Sequence, residues 1–134
     1  MIKKILSTAV AVTALTAGSA QAAVISLDSV SGIWTAASPA AAVSGINSNE
    51  ISWGGPATAN GQSSYMFEGA APPPVPLNTN VAFELGDFTH SNFPVFPPSL
   101  TSAVLTVTSN LTIDGSSESI ESIFNFSHLE TTNS

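Results

Sequence analysis

The chain contains no cysteine, and its only two basic residues, Lys3 and Lys4, stand at its start. The first absence removes thiol nucleophiles, iron–sulfur clusters, zinc–thiolate sites and disulfides, so stability has to come from packing or bound cations. The second leaves residues 23–134 without a Lys or Arg to meet a phosphate backbone, which excludes nucleic acid as a partner. Anionic membrane surfaces are disfavoured for the same reason. No glycine stretch is followed by the lysine that a phosphate loop needs. Helical periodicity is scarce too: from Ala23 onward no window repeats apolar residues at i, i+3, i+4 and i+7 behind a cap.

What the sequence does have begins with a targeting pattern. Lys3 and Lys4 precede an apolar run from Ile5 to Ala17, and Ala20-Gln21-Ala22 supplies a small-x-small site ahead of Ala23. This is the form of a signal peptide over residues 1–22, of bacterial type, cleaved between Ala22 and Ala23. The apolar run would reach roughly 20 Å as a helix, short of the ~30 Å hydrocarbon core of a bilayer. The mature chain is therefore expected outside the cytoplasm of a bacterium, in the periplasm, at the surface or in the medium, with no stable membrane span. It would carry Asp28, Glu50, Glu68, Glu84, Asp87, Asp114, Glu118, Glu121 and Glu130 against no Lys or Arg, a formal charge of −9 where the whole chain has −7. Such acids keep an exported protein soluble, with Ca²⁺ or another divalent cation as a candidate partner and no other cofactor expected.

The remainder reads as β-structure in one domain, residues 23–134. Predicted strands are Val24 to Trp34, Glu50 to Trp53, Ser63 to Glu68, a run through Val81, Phe83 and Leu85, Ser102 to Asp114, and a return strand through Ile120, Phe124 and Phe126. In the first, Ile25 and Leu27 are expected on one face and Val30 and Trp34 on the other. Thr35 to Gly45 is expected to be a loop. In the fifth, Ala103, Leu105, Val107, Leu111 and Ile113 share a face opposite Ser, Thr and Asn, the pattern of a half-buried antiparallel strand. Asp114-Gly115 opens a turn, and His128 and Glu130 extend the apolar face of the return strand by period two. The proline run before Val75 suits a crossover between sheets, because proline cannot donate within a central strand. The expected fold is an all-β antiparallel sandwich, a jelly roll being one form of it.

Several segments carry a family pattern. They are Val30-Ser31-Gly32-Ile33-Trp34, Asn49 to Gly54, Gln62 to Gly69, Leu85-Gly86-Asp87-Phe88-Thr89-His90-Ser91-Asn92-Phe93-Pro94-Val95, and Phe124 to Asn133 with His128, Glu130, Thr131 and Asn133. In this ordered set the chain resembles the THxN family of bacterial exported proteins, related to choice-of-anchor K domains and often carrying a PEP-CTERM-type sorting signal. The resemblance implies an extracytoplasmic β domain and marks Thr89, His90, Asn92, His128, Glu130, Thr131 and Asn133 as motif residues. Only Ser134 follows, so the expectation is a C-terminally incomplete or unanchored form with an exposed strand edge.

Three chemistries compete for these residues. Thr89, His90 and Asn92 can tie a strand end to its turn through backbone hydrogen bonds, the plainest reading. His90, His128, Asp87 and Glu130 can converge on a divalent metal, and a hydrolase could be built on that centre. Trp34, Trp53 and Tyr65 are candidates for stacking on sugar faces, which would make a carbohydrate-binding module, although large aromatics in a small sandwich more often fill the core. No G-x-S-x-G or H-E-x-x-H pattern accompanies them. The preferred expectation is a non-enzymatic surface or matrix protein that meets polysaccharide or cell-surface components.

Overall fold

The computed structural model describes residues 21–70 and 75–130; the apolar run, Ala20, the prolines at 72–74, Thr131 and Asn133 lie outside these. In chain order the strands are β1 (Ile25–Ser38), β2 (Val43–Ser44), β3 (Glu50–Trp53), β4 (Gly55–Pro56), β5 (Ser63–Gly69), β6 (Val75–Leu77), β7 (Gly86–Ser91), β8 (Val95–Phe96), β9 (Ser102–Ile113) and β10 (Ser116–Ser127). One sheet runs β10-β9-β1-β6, a second runs β2-β3-β5-β7, and β4 pairs with β8 in a small ribbon. Every pairing is antiparallel. The two larger sheets pack face to face as an antiparallel β-sandwich. No helix among the described residues is long and apolar enough to cross a membrane.

The long strand β9 sets the inner face. Ala103, Leu105, Val107, Ser109 and Leu111 are buried along it while the intervening residues are not, as strict alternation requires. Asp114 and Gly115 both have positive φ, 48° and 85°, and Ile113 pairs with Ser116 around them. That is the two-residue turn whose twist suits a hairpin, and Asp114 tolerates the conformation while its carboxylate accepts the Val24 N–H at 2.8 Å.

β1 departs from the sequence expectation. Its register against β9 shifts between Leu27 and Ser29 and again between Trp34 and Ala36. The first bulge adds one residue and flips the parity, so Leu27, Val30, Gly32 and Trp34 all oppose inward-facing β9 residues instead of being divided between faces. With the second bulge the strand continues to Ser38, through what read as a loop. A 3₁₀ turn at Ala40–Ala42 follows. Gly32 is required by packing here, because a Cβ at that position would overlap the ring of Phe67.

The run through Val81, Phe83 and Leu85 is not a strand. Among the described residues its one bond to a neighbouring strand's chain is at its end, where the Ala70 N–H, just past β5, donates to the Leu85 carbonyl at 2.8 Å. Val81 and Phe83 remain exposed over an apolar groove. The strand begins at Gly86, so the T-H-x-N motif is itself largely strand. Beyond the prolines, Val75–Leu77 adds to the sheet only as its edge, opposite Leu27 to Ile25, where a missing donor is tolerated.

The core between the sheets contains Trp34, Ile51, Trp53, Tyr65, Phe67, Leu100, Ala103, Leu105 and Val107. Each large apolar side chain buried there contributes about 1.5–3 kcal/mol before entropy is counted. The aromatic members gather at the end of the sandwich where β7 and β10 approach each other.

Candidate functional site

Register brings the motif residues to that end. Tyr65 on β5 lies opposite His90 on β7, and Phe67 lies opposite Phe88. Side chains directly opposite one another project to the same face, so Tyr65, Phe67, Phe88 and His90 all face the other sheet. Ile51 pairs with Tyr65, and two residues further along β3 Trp53 joins the same face. From the facing sheet come Trp34 and Phe126. Past the end of β10 the ladder gains one more bond, from the His128 N–H to the Thr101 carbonyl, which carries the His128 ring inward.

At the centre is a chain of hydrogen bonds. The Tyr65 hydroxyl and His128 Nδ1 are 2.6 Å apart. His128 Nε2 lies 3.1 Å from Glu130 Oε2, and the Trp53 indole N–H donates to that same oxygen at 3.1 Å. An ionised Glu130 only accepts, so Nε2 carries the proton and, in a neutral ring, Nδ1 accepts from the tyrosine hydroxyl. Every buried polar side-chain atom among the described residues has a partner, as a polar group inside a core must. Around this chain the rings pack closely: Trp53 against Tyr65 at 4.8 Å, Trp53 against His128 at 5.0 Å, and Trp34 stacked on Tyr65 at 5.5 Å. Phe88 stacks on Phe126 at 5.4 Å, closing the gap between the sheets.

His90 joins the cluster through ring contact. Its centroid is 4.8 Å from Tyr65, 6.0 Å from Trp53 and 5.6 Å from His128, edge-on to Tyr65 and His128. It keeps solvent access on its outer side. Burial of the inner face lowers its pKa below the ordinary 6.5, and His128 lowers it further while Glu130 acts in the opposite direction. The Tyr65 hydroxyl is pushed upward, first by burial and then by the Glu130 charge.

The turn expected to be tied by the motif's own side chains is tied by another residue. Among the described residues the side chains of Thr89, His90 and Asn92 make no hydrogen bond. Ser63, fully buried, accepts the Phe93 N–H at 3.1 Å and donates to the Phe93 carbonyl at 3.0 Å. One serine of β5 thus holds the exit of β7, a role nothing in its sequence neighbourhood announced.

The four metal candidates do not converge. His90 packs against His128, and His128 bonds Glu130, but Asp87 stands three residues from His90 on the same strand and therefore on the opposite face. Both His128 nitrogens are already engaged. Among the described residues no group of three or more His, Asp or Glu is placed to hold a metal ion.

The sugar-stacking candidates are also differently placed. Trp34 and Trp53 are 0% exposed and Tyr65 6%, so their faces meet other rings and leave none for a ligand. Ala22 and Ala23 sit in irregular chain ahead of β1.

The Tyr65–His128–Glu130 order is that of a proton relay, but burial and a raised pKa keep the phenol protonated and out of reach. The arrangement is a polar cross-link between sheets. No protein-family model, curated protein or solved structure matches this chain.

Proposed function

We propose that this chain is an exported, non-enzymatic β-sandwich domain that serves at the surface or in the extracellular matrix of a bacterium, as a member of the THxN group. One observation carries this reading: the side chains most capable of chemistry, Tyr65, His128 and Glu130 with Trp53, are spent on one another inside the sandwich. A catalytic base or nucleophile needs an approach for substrate, and here the rings that would supply one form the core. The motif residues then act as a fastener, locking β5 and β7 to the chain beyond β10 in a domain that has no disulfide to do so.

In this reading contact with polysaccharide or other surface components uses the exterior, which bears acids without Lys or Arg over residues 23–134. Neutral polymers and cation-bridged ones suit such a surface; polyanions do not. The test is to produce the full chain in a bacterial host and determine the mass and location of the product. A chain beginning at Ala23 and recovered outside the cytoplasm is expected. Retention of residues 1–22 in the membrane fraction would overturn the proposal.

A further inference from the structure

We infer that the outer edge of β10 docks a second copy of this chain, the two β10 strands pairing antiparallel about a two-fold axis at Ser122. The inference concerns assembly and stands whether or not the chain is exported. Among the described residues β10 ends the order of its sheet. It is 12 residues long, and its pairing with β9 contains no bulge. Natural edges are guarded by short length, by charged side chains or proline, or by bulges; β10 is long, free of bulges and proline, and has only Glu118 and Glu121 as charged guards. The other edges are shorter: β2 has two residues, β6 has three including Pro76, and β7 has six.

The direction of the free groups follows from the turn. A two-residue hairpin closes with a doubly bonded pair, here Ile113 and Ser116. Bonded and non-bonded positions then alternate, so even-numbered residues of β10 bond β9. The bond from His128 to Thr101 continues that series. Ser117, Ser119, Glu121, Ile123, Asn125 and Ser127 therefore turn their N–H and C=O groups outward, a ready ladder for another strand.

The side chains supply the register. Ile120, Ile123 and Phe124 are 51%, 66% and 40% exposed. Opposing residues of an antiparallel pair share a face, and a two-fold at Ser122 sets Ile120 against the partner's Phe124, twice over. Glu118 then faces the partner's Phe126 and Glu121 the partner's Ile123, so no carboxylate lies directly opposite another. Ile120 also forms the lip of an apolar groove of about 660 Å³, walled by Ile25, Leu77, Val81, Phe83 and Leu111. The partner's Phe124 would extend that wall and shield Ile120 from water. Both copies are acidic, so pairing strengthens as salt screens their repulsion.

A chain without cysteine makes the test direct. At a non-bonded two-fold position the Cα atoms would lie about 4.5 Å apart, within disulfide range. In the full chain, Ser122→Cys is expected to form a covalent dimer on mild oxidation. Ser119→Cys, whose two copies would be about 20 Å apart in this register, should do so at least about tenfold more slowly. Ile123→Pro deletes an outward N–H that β9 does not use, which an edge strand tolerates. It should sediment as a monomer with its circular dichroism unchanged, while the unsubstituted chain sediments as a dimer, more so at high salt. A monomer at every concentration, or equal cross-linking of the two cysteine variants, would overturn the inference. Should Ile123→Pro unfold, the cysteine pair still decides it.

Discussion

The Tyr65 hydroxyl meets His128 Nδ1 at 2.6 Å, joining the middle of one sheet to the chain that leaves the other. The bond is buried, and its loss strands the imidazole nitrogen. Tyr65→Phe keeps the ring and its packing, so the expected cost is that of a buried acceptor left alone, about 1–3 kcal/mol. Urea denaturation should register it as a lower midpoint with an unchanged slope.

His90 titrates against the packing around it. Its pKa is lowered in the folded chain, chiefly by burial and then by His128, against the pull of Glu130. Between that lowered value and 6.5 the unfolded chain binds a proton that the folded chain refuses. Its contribution to stability is therefore complete above 6.5 and is lost as pH falls through the folded value. Proton NMR should place the His90 midpoint below that of the same residue in urea, and His90→Gln should remove this residue's part of the acid loss.

Gly32 and Phe67 compete for one volume. Gly32→Ala introduces a methyl group into the space of the Phe67 ring, and overpacking of this kind costs about 1–3 kcal/mol. Pairing it with Phe67→Leu should recover part of the loss. A double-mutant cycle with strictly additive effects would contradict the contact.

Trp34 and Trp53 have no exposed surface. Their fluorescence should resist quenching by iodide in the native chain and become quenchable on unfolding, and neutral glycans should leave the native emission unchanged. A glycan-induced shift would place at least one indole at the surface.

Much of this fold is written in local alternation. β9 with its hairpin turn, β3 and β5 follow from period-two apolar patterning, and the same period carried His128 to its place beside Tyr65. Bulges leave no such trace. The extra residue near Asp28 reverses the face of Val30 and Trp34, and composition alone does not mark it. Val81, Phe83 and Leu85 alternate like a strand, but among the described residues only Leu85 reaches the ladder, through its bond from Ala70, and alternation is silent about neighbours. Parity could have separated Asp87 from His90, three residues apart on one strand. The Ser63 tie to Phe93 and the Trp53 bond to Glu130 depend on which strands become adjacent, a property of topology that no short window contains.

The pairing of β1 with β9 has a consequence in time. Ile25 lies opposite Ile113 and Ser38 opposite Ser102, so the first strand finds its principal neighbour only after most of the chain has been made. Until then Trp34 has Tyr65 against it but lacks the cover of β9 and Phe126, and everything between Ser38 and Ser102 must be closed as a loop. Contacts this distant slow folding, because chain entropy is lost before any packing is gained. Assembly of the interior is thus a late event, governed by the arrival of the C-terminal hairpin.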